Sequence, residues 1–305
     1  MMEGISKPVD YGEIIECSSP DFRAEILADR RNERIRVLNY LAGDMSSLAA
    51  YLDRTAIQNH AGKVIIYAFQ SDWAELLGMG FRLEGVLGAY YRGEPAFCMS
   101  RFLDPGRAVS TCFVDEDHIL RDIYKKAPKR SGLNTPSPNH ESRYNLRLLR
   151  EEDAGSVAKI FTRVFKTYPS PVEDIDYIKS LVSDNDYIMM VAEKGDEIAG
   201  IISAEIDANH LAAEITDCLT LPEHRGQGIM GLLIDNIEKE LAGRDLGTFY
   251  SLARAGIPAI NAVFRNRGYL YRGRLVNNCN IGGRFENMNM WEKPVSFEGE
   301  KNRSS

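Results

Sequence analysis

No stretch of this sequence approaches the roughly 20 consecutive apolar residues that a membrane-spanning helix needs. The first thirty residues mix acids with Pro8 and Pro20 where a secretory leader would carry an apolar core. The five cysteines (Cys17, Cys98, Cys112, Cys218 and Cys279) are odd in number, widely spaced and never arranged C-x-x-C. That usage argues against a disulfide framework or a zinc ribbon and for a reducing compartment. The five histidines show no H-x-x-x-H or similar ligand spacing, so no metal is expected. A basic excess is missing as well: 37 Lys and Arg stand against 44 Asp and Glu, a formal charge of −7. Residues 1–140 carry 17 basic against 19 acidic side chains, and residues 141–305 carry 20 against 25, so neither half is a basic arm. Nucleic acid, whose phosphates demand such an arm, is therefore not an expected partner, and neither is a membrane. The expectation is a cytoplasmic protein.

What is present is an ordinary globular composition, 44% hydrophobic and 27% charged. At 305 residues, and about 150 residues per domain, it suggests two domains. The clearest shift in composition is Lys125–Ser142, which holds Pro128, Pro136 and Pro138 among Ser, Asn and basic residues without apolar periodicity. Such a stretch buries no face and reads as a linker, the alternative being a long surface loop. The expected division is an N-terminal α/β domain over 1–124, a linker over 125–142, a second domain over 143–295 and a polar tail over 296–305.

After the linker, strands and helices alternate. Asn145–Leu149 reads as a strand, and Val157, Ile160, Phe161, Val164 and Phe165 form the stripe of an amphipathic helix. Ser170-Pro171 suits an N-cap and first-turn proline for a helix carrying Ile175, Ile178 and Val182. Tyr187–Ala192 and Ile198–Ile206 form a hairpin through Lys194-Gly195-Asp196, and Glu214–Leu221 is a further strand. A helix with Ile229, Leu233, Ile237 and Leu241 on one face follows, then a strand at Gly247–Leu252 and a helix at Ala259–Arg267 ending at Gly268. Strands near Leu270–Asn277 and Phe285–Glu292 close the chain, which makes a mixed α/β (α+β) sheet the expected fold class.

The informative junction is strand, then Arg225-Gly226-Gln227-Gly228-Ile229-Met230-Gly231, then helix. Glycines at a helix start let backbone amides point at an anion, the helix dipole adds to them, and Arg225 can supply a charge-assisted contact. A Walker loop is absent. Gly226, Gly228 and Gly231 fit a dinucleotide fingerprint in spacing only, because the preceding strand follows a meander rather than opening a βαβ unit.

The order of elements, with Leu219-Thr220-Leu221-Pro222-Glu223-His224-Arg225-Gly226-Gln227-Gly228, resembles the GCN5-related N-acetyltransferase (GNAT) family over about residues 145–292. The resemblance implies acetyl-coenzyme A (acetyl-CoA) as co-substrate, its pyrophosphate bound by a [QR]-x-x-G-x-[GA] loop. Arg225, Gly226, Gln227, Gly228 and Ile229 match that loop. Met230 stands where the family prefers Gly or Ala, with Gly231 expected to supply slack. It further implies that the Leu219, Thr220 and Leu221 backbone pairs with pantetheine and that an amide of Leu219 or Thr220 polarises the thioester. Asn261 is a candidate cofactor contact, or equally a helix-face amide. The leaving thiolate commonly takes a proton from a tyrosine at the position held here by Phe264, so Tyr250, Tyr269 or Tyr271 would have to substitute, or the thiolate leaves unassisted.

Asn277-Asn278-Cys279-Asn280-Ile281-Gly282-Gly283-Arg284-Phe285-Glu286-Asn287-Met288-Asn289-Met290-Trp291, with Phe264-Arg265-Asn266-Arg267-Gly268-Tyr269 before it, resembles the β-lysine N-acetyltransferases. Those enzymes make Nε-acetyl-β-lysine, a compatible solute that serves osmoprotection. The resemblance implies a small amine as substrate and makes Asn277, Asn278, Asn280, Glu286 and Arg284 candidates to hold it. A plain hairpin with turn-forming Asn and Gly is the alternative.

An alkyl ammonium with pKa near 10.4 costs roughly 4.6 kcal/mol to deprotonate at pH 7, so such an enzyme needs a base. The candidates are Glu214, six residues before Thr220 as in histone-acetylating members of the family, and Asp217, which a regular pleat puts on the opposite strand face.

The N-terminal part carries a fainter echo. Lys63–Leu103 reads strand, helix, Gly80-Phe81, strand, strand, the order seen around Gly268-Tyr269. It suggests a degenerate acetyltransferase-like copy without a coenzyme A loop that walls one side of the substrate site. Other expectations kept open are a GNAT enzyme for another primary amine (polyamine, aminoglycoside or protein lysine) and a non-catalytic coenzyme A-binding module. An oligomer is compatible with all of them.

Overall fold

The computed structural model describes residues 4–9, 12–127 and 143–295. Most of the expected linker and all of the expected tail lie outside the described residues. The first half of the chain runs β1 (Gly4–Val9), β2 (Gly12–Ser18), β3 (Phe22–Asp29), β4 (Arg34–Ala42), α1 (Met45–Gln58), β5 (Lys63–Ala68), α2 (Trp73–Gly78), β6 (Arg82–Tyr91) and β7 (Glu94–Phe102), followed by α3 (Phe113–Lys125), which packs against the second half. The second half runs β8 (Asn145–Leu148), α4 (Ala154–Val164), α5 (Ile175–Val182), β9 (Tyr187–Lys194), β10 (Glu197–Asp207), β11 (Ala212–Thr220), α6 (Ile229–Leu241), β12 (Thr248–Arg254), α7 (Pro258–Asn266), β13 (Leu270–Ile281) and β14 (Arg284–Pro294).

The strands form one sheet in the order β1-β2-β3-β4-β5-β7-β6-β13-β14-β12-β11-β10-β9-β8. Adding seven to each strand number of the first half gives the second half in mirror sequence, so the chain contains the same topology twice, back to back. In both copies the strands pair antiparallel except at one place, β4 with β5 and β11 with β12. Helix α1 follows β4 as α6 follows β11, and α2 follows β5 as α7 follows β12. The echo seen in Lys63–Leu103 therefore extends back through β1. Helices α4 and α5 have no counterpart among the described residues of the first half.

Each copy has its own core. In the second, Ile229, Leu233, Ile234, Ile237 and Leu241 of α6 are buried on the sheet, each contributing roughly 1.5–3 kcal/mol of apolar burial. The copies meet where β6 pairs with β13 through Gly85 and Gly273. A Cβ on Gly273 would lie 2.2 Å from the Glu84 carbonyl oxygen, so only glycine lets the backbones approach this closely. Beside them the fully buried Lys63 ammonium pairs with Glu84 at 2.7 Å and donates to the Val276 carbonyl at 2.8 Å, while Glu84 accepts from the Val276 amide at 2.7 Å. A second strut joins the copies at the far edge. Tyr90 donates to Asp207 at 3.0 Å, and the Arg92 amide donates to the His210 carbonyl at 2.9 Å.

One helix start differs from the expectation. Helix α5 is capped by Asp174, whose carboxylate accepts from the Asp176 amide at 2.9 Å, and not by Ser170. Pro171 instead accepts the Asp174 amide in a turn that delivers the better cap.

Candidate active site

Strand β11 and the loop after it form the centre of the site. It pairs with β12 only through Ala212–Thr248, Ala213–Phe249 and Glu214–Tyr250, and beyond Glu214 the two strands part. On its other side β11 stays paired with β10, but between the pairs Ser203–Thr216 and Ile201–Leu219 two residues, Asp217 and Cys218, stand opposite one, Ile202, and bulge. Asp217 takes φ of 50° in this bulge. Its carboxylate accepts from the hydroxyls of Tyr168 at 3.0 Å and Ser203 at 2.6 Å and from that of Tyr187. Three donors fasten the bulge from three directions. The bulge also breaks the regular pleat, so Asp217 and Glu214 line the same cavity instead of opposite faces.

The Leu221 amide donates to the Ala199 carbonyl of β10, and Leu219 is in register with Ile201. Alternation along the strand then turns the backbone of Thr220 away from β10 and into the wedge between β11 and β12. Of the three residues expected to offer backbone groups, Thr220 alone keeps its amide clear of the sheet, while its carbonyl accepts from the Arg225 guanidinium at 3.2 Å. Leu219 and Leu221 are committed to the sheet.

The wedge ends at the start of α6. Gly226 and Gly228 take φ of 76° and 79°, and α6 begins at Ile229 with no side-chain cap. The first amides of a 13-residue helix are thus left for an anion, with Arg225 exposed beside them. In the first half the equivalent helix, α1, is capped by Asp44, which accepts from the Ser46 amide at 3.0 Å. That carboxylate holds the place an anion would take. Gln227 accepts from Tyr144 at 2.9 Å, and Tyr144 lies 3.0 Å from Nδ1 of buried His224. Gln227 therefore shapes the loop and does not line the cavity. Met230 packs its side chain on the core, which leaves its backbone at the loop. Gly231 does not supply slack. A Cβ there would lie 1.9 Å from the Arg267 guanidinium, which donates to the Gly231 carbonyl at 2.9 Å.

The cavity itself encloses about 1240 Å³ and is lined by both halves of the chain. Among the acids that line it are Glu214 and a residue the sequence did not mark, Glu205, which face each other as a cross-strand pair on β11 and β10. Burial pushes the Glu205 carboxyl up to about 7, and the neighbouring Glu214 carboxylate adds to the rise against the pull of Arg36. Glu205 is open to the cavity yet surrounded by protein, which is why its surface is accessible while its charge is poorly solvated. Burial also raises Glu214, opposed by Arg36 and by a hydrogen bond from Tyr250. A carboxyl balanced near neutrality can take a proton from an ammonium group at pH 7. Only spatial pairing reveals Glu205, since nothing in its local sequence marks it.

Several expected residues sit elsewhere. Asn261 is fully buried; its amide donates to the Arg254 and Ile257 carbonyls and its oxygen accepts from Asn289 and Trp291. All its capacity is used inside the protein, so it is not a cofactor contact. Asn277 donates to the Arg107 and Val109 carbonyls, and Asn280 accepts from Thr167, neither facing the cavity. Glu286 is held between Arg254 at 2.6 Å and Arg284 at 3.2 Å, and the side chain of Arg284 is 71% exposed. Of the five acceptor candidates only Asn278 lines the cavity. The Asn-rich segment is a seam: Arg34 donates to the Asn278 carbonyl and Arg107 to that of Asn277, so its polar groups serve the junction between the halves. Tyr269 donates to Glu238 and Tyr271 packs on Trp291, which leaves Tyr250 as the tyrosine of the three that lines the cavity. Phe264 lines it too and has no proton to give.

The uncapped helix start, the wedge beside it and the paired acids point to one chemistry, and the known proteins agree. Residues 155–269 match the Acetyltransferase (GNAT) family. The N-acetyltransferase YodP of Bacillus subtilis is 38% identical over 88% of this chain and 94% of its own. A protein named beta-lysine N(6)-acetyltransferase from Methanosarcina mazei is 34% identical over 82% of this chain and 97% of its own, and one of the same name from Methanococcus maripaludis is 30% identical over 86% and 93%. The chain belongs to the GNAT acetyltransferase family. It is an acetyl-CoA-dependent N-acetyltransferase. In this acetyltransferase the residues present suit the co-substrate: the free amides at Ile229–Gly231 and Arg225 would hold pyrophosphate, and Thr220 in the wedge would meet pantetheine. Acetyl-CoA supplies an acetyl group on a good leaving thiol. Among the described residues no group of three or more His, Cys, Asp or Glu is placed to hold a metal, and no helix is long and apolar enough to cross a membrane.

Proposed function

We propose that this enzyme transfers acetyl from acetyl-CoA to the N6 amine of β-lysine. The observation that carries the proposal is the facing pair Glu205 and Glu214 in the cavity wall, set among further acids and arginines. A small acceptor bearing two ammonium groups and one carboxylate needs both signs of charge in one enclosed site, which a peptide or a plain polyamine does not. The names of two relatives that match nearly their full length support the same acceptor. In this proposal the Glu205–Glu214 pair removes the proton from the reacting ammonium, and the free amine attacks the thioester carbon directly. The tetrahedral intermediate then collapses with cleavage of the carbon–sulfur bond. Coenzyme A leaves as the thiolate, which a pKa near 8.5 permits without a donor, and the second proton lost by the nitrogen converts it to the thiol. The Thr220 amide receives the charge that develops on the carbonyl oxygen. Asp217 keeps the bulge that presents Thr220. The first half, residues 1–124, acts as a wall of the acceptor site, and the product serves as a compatible solute.

Initial rates with saturating acetyl-CoA against β-lysine, α-lysine, spermidine and a lysine-containing peptide test this. The highest kcat/KM is expected for β-lysine. Turnover of spermidine or the peptide without turnover of β-lysine would reject it.

A further inference from the structure

The two copies of the fold place a second functional residue opposite Glu214. In the second half Glu214 is the third residue of the parallel ladder, paired with Tyr250 of β12. In the first half the third residue of the equivalent ladder is Arg36, paired with Ile65 of β5. The same position of the fold therefore carries an acid in one copy and a guanidinium in the other, and both line the one cavity between the halves.

Its neighbour at the first ladder position, Arg34, is fully engaged. It donates to Asp29 at 2.8 Å and to the Asn278 carbonyl at 3.1 Å. Arg36 is not: its backbone belongs to the ladders with β3 and β5, but among the described residues its guanidinium makes no ion pair within 4.0 Å and no side-chain hydrogen bond. Burial alone would weaken its charge, but Glu214 leads the neighbours that outweigh burial and keep it protonated. A guanidinium that is charged, enclosed and unpaired presents its planar fork to whatever enters, and a carboxylate matches that fork in two parallel hydrogen bonds.

We propose that Arg36 of the first half receives the carboxylate of the acceptor, so that the enzyme selects a diamino acid over the corresponding diamine. This rests on the acceptor proposed above. The first half thereby takes part in recognition, because the worn copy has exchanged its acid for the residue that reads the other end of the substrate.

The test compares kcat/KM for β-lysine and for pentane-1,4-diamine, the same carbon chain without the carboxylate, in the natural enzyme, Arg36→Gln and Arg36→Lys. The natural enzyme should prefer β-lysine. Arg36→Gln should lower kcat/KM for β-lysine about 100-fold, through KM, and move the diamine far less, so that the preference collapses. Arg36→Lys should recover part of it, since a point charge replaces the fork. An equal loss on both acceptors, accompanied by an alkaline shift of the pH profile, would overturn the proposal, because Arg36 would then only tune Glu214. An unchanged preference overturns it as well. Should Arg36→Gln not fold, Arg36→Lys alone decides by the same ratio. If the natural enzyme does not acetylate β-lysine at all, the acceptor assignment fails and this inference with it. If it does and the ratio ignores Arg36, only the inference fails.

Discussion

Glu205 holds its proton in the folded chain up to about pH 7, well above its ordinary value of 4.5. Between those values the native state binds a proton that the unfolded chain releases. The stability this contributes is complete below pH 4.5 and is lost as the pH rises through 7. Glu205→Gln should therefore raise Tm by a few degrees at pH 8 and leave it nearly unchanged at pH 4.5, measured by calorimetry; a lower Tm at pH 8 would contradict this. The same titration predicts that acetyl transfer rises with pH across neutrality and that Glu205→Gln or Glu214→Gln flattens the rise. At Asp217 the outcome differs, because its carboxylate serves three hydroxyls. Asp217→Asn should cost about 2–3 kcal/mol in urea unfolding by turning one acceptor into a donor. Glu214 stood out in the sequence through its place six residues before Thr220, and it lines the cavity. Glu205 did not stand out, because it becomes a partner only when β10 lies beside β11. Asn277 and Asn280 point away from the cavity for a similar reason. Arg107, whose carbonyl takes the Asn277 side-chain amide, is 170 residues away, and Thr167, which donates to the Asn280 side chain, is 113 away.

Helix α6 and its loop were the most readable element, since a left-handed glycine pair before an apolar stripe has few other uses. The two glycines have open space where a Cβ would stand, so replacing them strains the backbone without a clash. Gly228→Ala should cost about 1–2 kcal/mol in holding the loop and raise KM for acetyl-CoA about tenfold, leaving KM for the amine nearly unchanged. A rise in the amine KM instead would place the loop in the wrong half of the site. The contrast with α1 makes the point from the other side, where Asp44 caps the helix and leaves no such seat. The start of α5 was misplaced because Ser170-Pro171 satisfies the same local rule as Asp174, and only the turn at Pro171 separates them.

The strands of the described residues form one sheet in which a fold occurs twice, and only the stretch Lys63–Leu103, from β5 through β7, betrayed this in the sequence. The earlier strands and α1 share topology with the second half without sharing its glycine loop, so the pattern that identified the second half is missing from the first. Two changes probe the joint. Gly273→Ala drives a Cβ into the Glu84 backbone and Lys63→Met leaves Glu84 buried without its cation. The second should cost about 3–5 kcal/mol, and both should lower acetyl transfer together with stability, read by activity and urea melts on the same samples. Activity that survives separation of the halves would show that the first is dispensable. The most direct test of a site shared between the halves is a crystal structure with coenzyme A and β-lysine. We expect pyrophosphate on the amides of Ile229–Gly231, the N6 nitrogen within about 3.5 Å of Glu205 or Glu214, and the acceptor carboxylate on Arg36. An acceptor bound wholly to the second half, with Arg36 facing empty space, would contradict a shared site.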